Sequence, residues 1–197
     1  SKYQKEGYAI VTMDESHFKD ATRTAKYWAE TCLRVLLTWS GDHHRFSMLC
    51  SITMDGQAFF NHTVAANTES FLEHIDRVYQ SVGKMVLVLD KASWHMSEET
   101  MQYFRKRDII IMWYPTGHPY LNPVEEVWSM IKSKMDHSVR YADIQTHVAA
   151  FYKFVNKNDI IDYDFVKFWK RKPPKGITRP IIRTEGEPDT SVEEYKV

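Results

Sequence analysis

Short runs of apolar residues in the first third of the chain predict β-strands. Residues 8–13 read YAIVTM, and residues 34–39 and 45–53 are further strand candidates. The stretch MDGQ at residues 54–57 predicts a hairpin turn, because Asp-Gly supplies the backbone conformation that a tight turn requires. AFFNHTV at residues 58–64 then returns as a strand. Three antiparallel strands in succession are therefore expected.

The middle of the chain changes to a helical period. NTESFLEHIDRVYQSVG has apolar residues at steps of three and four, with Asn67 or Thr68 as cap and Gly83 as its end. The apolar positions that share one helical face are Phe71, Leu72, Ile75, Val78, Tyr79 and Val82. KMVLVLD follows as a continuous apolar run, which is typical of a strand covered on both faces.

The remaining elements complete an α/β pattern. SEETMQYFRKRD predicts a helix capped by Ser97, and IIIMWY predicts another buried strand. After a loop with Pro115, Gly117 and Pro119, Pro123 suits the first turn of a helix, and a last helix is expected at residues 142–156. The order of elements predicts a mixed five-stranded sheet flanked by helices.

Composition narrows the class of protein. The chain has 197 residues, 43% of them hydrophobic, and a formal net charge of zero. The size and composition favour one globular domain at residues 1–157, and the zero net charge argues against a strongly basic nucleic-acid binder.

Cys32 and Cys50 are not spaced as a zinc site, and reduced thiols are expected. No apolar run of about 18 residues and no signal peptide are present, so a cytoplasmic protein without a membrane partner is expected. Residues 158–197 turn basic and Pro-rich and then acidic, which predicts an extended or partly disordered tail.

Three acidic residues stand at the predicted ends of elements. Asp14 is expected to end the first strand, Asp90 the fourth, and Glu125 lies one turn into the helix after the Pro-Gly-Pro loop. If the first and fourth strands are neighbours, the three carboxylates meet, and a hard divalent cation such as Mg²⁺ or Mn²⁺ removes their repulsion. Two such ions are a recurring device for phosphoryl transfer. Taken singly, each acid has a simpler interpretation: a solvated strand end, a helix cap or a residue that compensates the helix dipole.

The motifs around these acids resemble a known family. VTMDESHF, LVLDKASWH and PTGHPYLNPVEEVWSMIK together resemble the DDE transposases (DDE superfamily endonucleases) of the mariner superfamily, in their bacterial and archaeal insertion-sequence branch. The matching motifs assign the catalytic and metal-binding roles to Asp14, Asp90 and Glu125, and 34 residues separate the last two, as this branch typically shows. Glu126 is also acidic, but one residue along a helix rotates about 100°, so Glu125 is chosen on the motif match.

The resemblance implies a fold, an activity and partners. It implies a ribonuclease H-like fold and the catalytic domain of a DNA transposase, which uses two Mg²⁺ or Mn²⁺ ions to cleave and join DNA. Members typically act as dimers on terminal inverted repeats and insert at TA dinucleotides, so a homodimer of the full-length protein in a prokaryotic nucleoid is expected. Helix-turn-helix domains precede the catalytic domain in this family, and the present chain begins about a strand's length before Asp14. Sequence-specific recognition is therefore expected outside it.

Three residues that follow the second motif's acid are candidates for DNA contact. Lys91 stands where the family usually has Asn, and it either contacts a phosphate or competes with metal charge. Trp94 either stacks on a base or packs in the protein, and His95 either touches the scissile phosphate or is solvated.

Three more candidates lie elsewhere. Arg23 and Lys26 belong to RTAKYW, which mixes basic and aromatic residues. Lys132 lies seven residues after Glu125 and shares its helical face, although a solvated lysine is the simpler interpretation. The basic residues 167–175 either bind phosphates non-specifically or form a solvated tail or dimer arm.

Two other functions fit the same residues. One is a metal-dependent nuclease of the same fold without transposition. The other is a non-catalytic DNA-binding domain from a decayed element, an interpretation that Lys91 supports and the three intact acids oppose.

Overall fold

A single mixed β-sheet organises the chain. The computed structural model describes residues 2–19, 45–135 and 141–157. The strands, in the spatial order β3-β2-β1-β4-β5, are β1 (Ala9–Lys19), β2 (Arg45–Thr53), β3 (Ala58–Thr63), β4 (Met85–Leu89) and β5 (Ile110–Trp113). β1, β2 and β3 pair antiparallel, whereas β4 pairs parallel with both β1 and β5. The predicted mixed five-stranded sheet is confirmed.

The helices begin and end close to their sequence signals. They are α1 (Lys2–Lys5), α2 (Thr68–Val82), α3 (Glu98–Arg107), α4 (Pro123–Lys134) and α5 (Ile144–Lys157), with a 3₁₀ turn at Pro119–Leu121. Asn67 caps α2 by accepting a hydrogen bond from the backbone N–H of Ser70, and Ser97 caps α3 in the same way through Thr100. Within the ranges that the structure describes, no helix has the length and apolar character needed to cross a membrane.

The first strand is longer than predicted. The prediction that it ends at Asp14 is wrong, because β1 stays paired with β2 as far as Lys19, which lies opposite Arg45. What does end near Asp14 is the parallel ladder with β4, whose last pair is Thr12 and Val88. Asp14 therefore lies inside a strand but just beyond its shared edge with β4.

Several predictions fall on parts of the chain outside the described residues. These are the strand candidate at residues 34–39, Cys32, the segment RTAKYW and the tail at residues 158–197.

Helices cover both faces of the sheet. Because side chains alternate along a strand, Val11 and Met13 of β1 face one layer, and Phe18 faces the other. The apolar stripes of α2 and α3 bury one face, and those of α4 and α5 bury the other. The sheet thus separates two hydrophobic cores, which gives the predicted helix–sheet–helix layering.

A histidine is enclosed in the layer under α2. His74 is buried, and its Nε2 lies 2.8 Å from Oγ of Ser51 on β2. Burial, and to a smaller degree the charge of Arg77, lowers the pKa of His74 from its ordinary 6.5 to about 3. The folded protein therefore keeps this ring neutral at pH values where the unfolded chain takes up a proton.

We expect stability to fall as the pH drops from about 6.5 towards about 3, because only the unfolded state binds the extra proton on residue 74 in that range. The contribution of this one group is at most about 1.4 kcal/mol per pH unit in the free energy of unfolding. Urea denaturation at a series of pH values measures the slope. His74→Gln keeps a side-chain amide for Ser51 and should reduce the dependence of the free energy of unfolding on pH. An unchanged slope in that variant would assign the effect to other groups.

Candidate active site

The pairing of β1 with β4 places two acids at the same height on adjacent strands. Thr12 lies opposite Val88, and Asp14 and Asp90 each follow two residues later. Since side chains alternate along β1, Asp14 belongs to the sheet face that α4 and α5 cover. Asp90 comes directly after the last residue of β4, as the sequence predicts.

The start of α4 is fastened to β1 by two hydrogen bonds. Asn122 is buried, and its Oδ1 accepts from the N–H of Val124 at 3.1 Å, so it caps the helix. Its Nδ2 donates to the backbone oxygen of Met13 at 3.3 Å. One turn into the helix, Nε1 of Trp128 donates to Oδ2 of Asp14 at 3.0 Å. The cap and the indole thus hold the helix against the residue before Asp14 and against Asp14 itself.

Glu125 is brought to Asp14 by this attachment. It precedes Trp128 by three residues, a spacing at which side chains on a helix are neighbours. Glu125 itself is exposed, so its carboxylate lies at the open side of the site.

Negative charge accumulates around Asp14. Burial is the main cause that raises the pKa of Asp14 to about 7, and the charge of Glu125 is the next. The charges of Glu15 and Asp90 raise it further. The three acids predicted from the sequence are therefore close enough to act on one another electrostatically.

The donor chemistry of this group fits a hard divalent cation. Carboxylate oxygens are the ligands that Mg²⁺ and Mn²⁺ prefer, and a cation would offset the mutual repulsion of the acids. In the part of the chain that the structure describes, however, no three side chains of metal-binding type form a preassembled cluster. The fit therefore rests on donor type and on charge.

Asp90 is held from its other side by a histidine. Nδ1 of His95 lies 2.9 Å from Oδ1 of Asp90 and 3.0 Å from its backbone oxygen. Nε2 of the same ring lies 3.1 Å from Oε1 of Glu15, which also accepts from Nε1 of Trp94 at 3.0 Å. Because Glu15 follows Asp14 in a strand, it points to the opposite sheet face, where α2 and α3 pack. The network thus joins the residue that follows β4 to the sheet face where α2 and α3 pack.

The ring of His95 is charged in this arrangement. Burial lowers its pKa, but the hydrogen bonds to Asp90 and Glu15 outweigh burial and raise the pKa of His95 to about 9. The hydrogen bond from His95 is in turn the main cause that lowers the pKa of Asp90. Both ring nitrogens therefore donate to carboxylates at neutral pH.

The predicted DNA contacts differ in burial and in the partners that the structure gives them. The side chain of His95 is only 2% exposed and both nitrogens are engaged, which does not fit contact with a scissile phosphate or a solvated ring. Trp94 is half-buried, packs against the core under α2 and donates to Glu15. Lys91 is exposed next to Asp90. Nζ of Lys132 lies 5.7 Å from the ring centre of Phe18.

Arg23 and Lys26, the other two predicted contacts, lie outside the described residues.

Three residues that build the site had no role in the sequence analysis. Asn122 carries a signal that could have found it, because Asn before Pro is a typical helix start. Glu15 and Trp128 act across the sheet and between elements. Their partners could not be read from local spacing.

Comparison with known proteins agrees with the fold. The family described as DDE superfamily endonuclease matches residues 9–147. An uncharacterized protein of Sinorhizobium fredii, y4pE/y4sA, is 34% identical over 98 residues, which cover 46% of this chain and 70% of that protein.

Solved structures of the Mos1 transposase share the architecture. A Mos1 paired-end complex with the left transposon end has a TM-score of 0.63 at 12% identity, over 85% of this chain and 53% of that chain. A mariner Mos1 paired-end complex with Mg has 0.60 at 12%, over 83% and 53%. The Mos1 catalytic domain with raltegravir and Mn has 0.58 at 11%, over 83% and 79%. The chain thus spans about half the length of the Mos1 chains in the paired-end complexes. The likeness shows a ribonuclease H-like fold, whereas the insertion-sequence branch stays a prediction.

The contribution of Asn122 to the stability of the protein can be measured by substitution. Asn122→Ala removes both the cap and the bond to Met13, and we expect it to lower the free energy of unfolding by about 2 kcal/mol. Asn122→Ser keeps a capping oxygen but loses the amide donor, so it should cost about half as much. Urea denaturation of the two variants measures the difference. Equal losses in both would show that the capping oxygen contributes nothing and that the bond to Met13 accounts for the loss.

Proposed function

Because the chain belongs to the DDE superfamily endonucleases, we propose that it is the catalytic domain of a DNA transposase, which cleaves and joins DNA in a metal-dependent reaction. One observation carries the proposal: the charges of Glu125 and Asp90 raise the pKa of Asp14. The three acids also have the order and spacing of the family's motifs. The Mos1 structures, which include a strand transfer complex, support a transposase in preference to other activities on this fold.

We propose that Asp14, Asp90 and Glu125 hold two Mg²⁺ or Mn²⁺ ions. Mos1 paired-end complexes have been crystallised with Mg and with Mn, which supports this choice of ions. When bound, such ions supply charge stabilisation to a phosphodiester during in-line displacement. The chain's own residues keep the acids in place: Trp128 donates to Asp14, and His95 donates to Asp90.

DNA is the proposed partner, in the form of transposon terminal inverted repeats with TA as the target. Lys91 is exposed beside Asp90 and is the proposed phosphate contact nearest the acids. Lys132, Arg23 and Lys26 are further proposed DNA contacts, and a homodimer is the proposed active form.

A nuclease of the same fold without transposition is the alternative that shares all of these residues. Its acids would cleave DNA but would not join a 3′ end to a new strand. Strand transfer from a pre-cut DNA end into a plasmid therefore separates the two activities.

We expect the chain to nick supercoiled plasmid DNA in the presence of Mn²⁺ and to lose that activity with EDTA. Asp14→Asn and Glu125→Gln should each reduce the rate by about 100-fold or more, because each removes a proposed ligand. Glu126→Gln is the matched control one residue along α4, and it should retain activity. Loss of nicking in the Glu126 variant with retention in the Glu125 variant would assign the third acid to Glu126.

The lysine beside Asp90 provides a second test. If Lys91 faces DNA, Lys91→Asn should leave Mn²⁺ affinity nearly unchanged, weaken DNA binding and reduce the slope of its salt dependence by about 1. Calorimetry with Mn²⁺ and shift assays at several salt concentrations measure the two effects. Mn²⁺ binding that tightens by about tenfold, or about 1.4 kcal/mol, would show that Lys91 opposes the metal and would favour a decayed element.

A further inference from the structure

We infer that His95 is a positioning residue: fixed from behind by Glu15, it holds the carboxylate of Asp90 in the orientation that a metal ion needs. The inference rests on the metal-dependent function proposed above and adds a role for two residues outside the acidic triad. The inference follows from a difference in restraint: the side chain of His95 is buried, whereas that of Asp90 is exposed.

Asp90 has little else to hold it. Its side chain is 64% exposed and follows the last residue of β4. Among the described residues, its carboxylate accepts from two donors, the backbone N–H of Ala92 at 3.2 Å and Nδ1 of His95 at 2.9 Å. Both donors contact Oδ1, so Oδ2 is left to accept a further ligand.

His95 is held on every side. Its ring lies 4.4 Å from the ring of Phe71 between centres, and its backbone N–H donates to Ala92 at 3.0 Å. Glu15, whose side chain is 11% exposed, lies 3.1 Å from Nε2. Trp94 restrains the same carboxylate of Glu15. The buried and restrained histidine is therefore placed to orient the exposed aspartate.

A positioning role predicts that loss of orientation weakens metal binding. Asn and Gln at position 95 are both neutral and differ in which hydrogen bond they keep, so a comparison between them isolates orientation from charge.

Calorimetry with Mn²⁺ on the full chain is the test, with His95→Asn compared against His95→Gln. The amide nitrogen of Asn occupies the place of Nδ1 and keeps the bond to Asp90, whereas that of Gln occupies the place of Nε2 and keeps the bond to Glu15. We expect the Gln variant to bind Mn²⁺ about tenfold more weakly than the Asn variant, as is usual when a partner of a metal ligand is lost. Affinities that agree within a factor of about two, or that rank in reverse, would overturn the inference.

A second pair keeps the inference testable if either His95 variant fails to fold. Glu15→Asp keeps the charge but is too short to reach His95 or Trp94, and it should weaken Mn²⁺ binding several-fold. Trp94→Phe keeps an aromatic ring, removes the other donor to Glu15 and should have a smaller effect. Equal effects of the two variants would contradict a role for the contact between Glu15 and His95.

His17→Asn is the control for histidine loss on the same strand as Glu15, because His17 bonds only to Ser47 among the contacts described and should leave Mn²⁺ affinity unchanged. An unsubstituted chain that binds no Mn²⁺ would overturn the proposed function together with this inference. Normal Mn²⁺ binding that is insensitive to His95 and Glu15 would overturn this inference alone.

Discussion

Like-charged carboxylates have to be kept close together at the place where β4 ends, and much of the surrounding structure serves that constraint. The parallel ladder stops at Thr12 and Val88, which puts Asp14 and Asp90 side by side beyond it. Burial is the main cause that raises the pKa of Asp14, the charge of Glu125 comes next, and the charge of Asp90 adds a smaller amount. Each acid is offset by a donor from a different element: the indole of Trp128 on α4, and the imidazolium of His95 in the loop after β4.

These donors differ in what they do to charge. The indole N–H is neutral, so it orients Asp14 without removing the excess negative potential around it. His95 is cationic and compensates Asp90 and Glu15, which lie on opposite sides of its ring. Glu125 and Lys91, which carry opposite charges, are both exposed to solvent beside these acids.

Local patterns in the sequence predicted the helices α2 to α5, the caps of α2 and α3 and the apolar strand that leads to Asp90, because these depend on neighbours within a few residues. The length of β1 was missed because its second half is held by β2, a partner that local spacing does not reveal. The same reason explains His95. Its contact with Glu15 joins residues 80 positions apart, and only the folded sheet brings them together. The family motifs pointed to the three acids but carried no information on which groups restrain them.

The adjacent residues Asp14 and Glu15 take up unlike tasks solely because a strand sends alternate side chains to opposite faces. Their division of labour is therefore encoded in strand register and not in the chemistry of either side chain. Deleting a single residue in the first half of β1 would move Glu15 to the place of Asp14, facing Trp128, whereas inserting one would move Asp14 to the place of Glu15, facing His95. The shorter acid would fall short of the imidazole, so this segment should tolerate substitutions far better than changes of length.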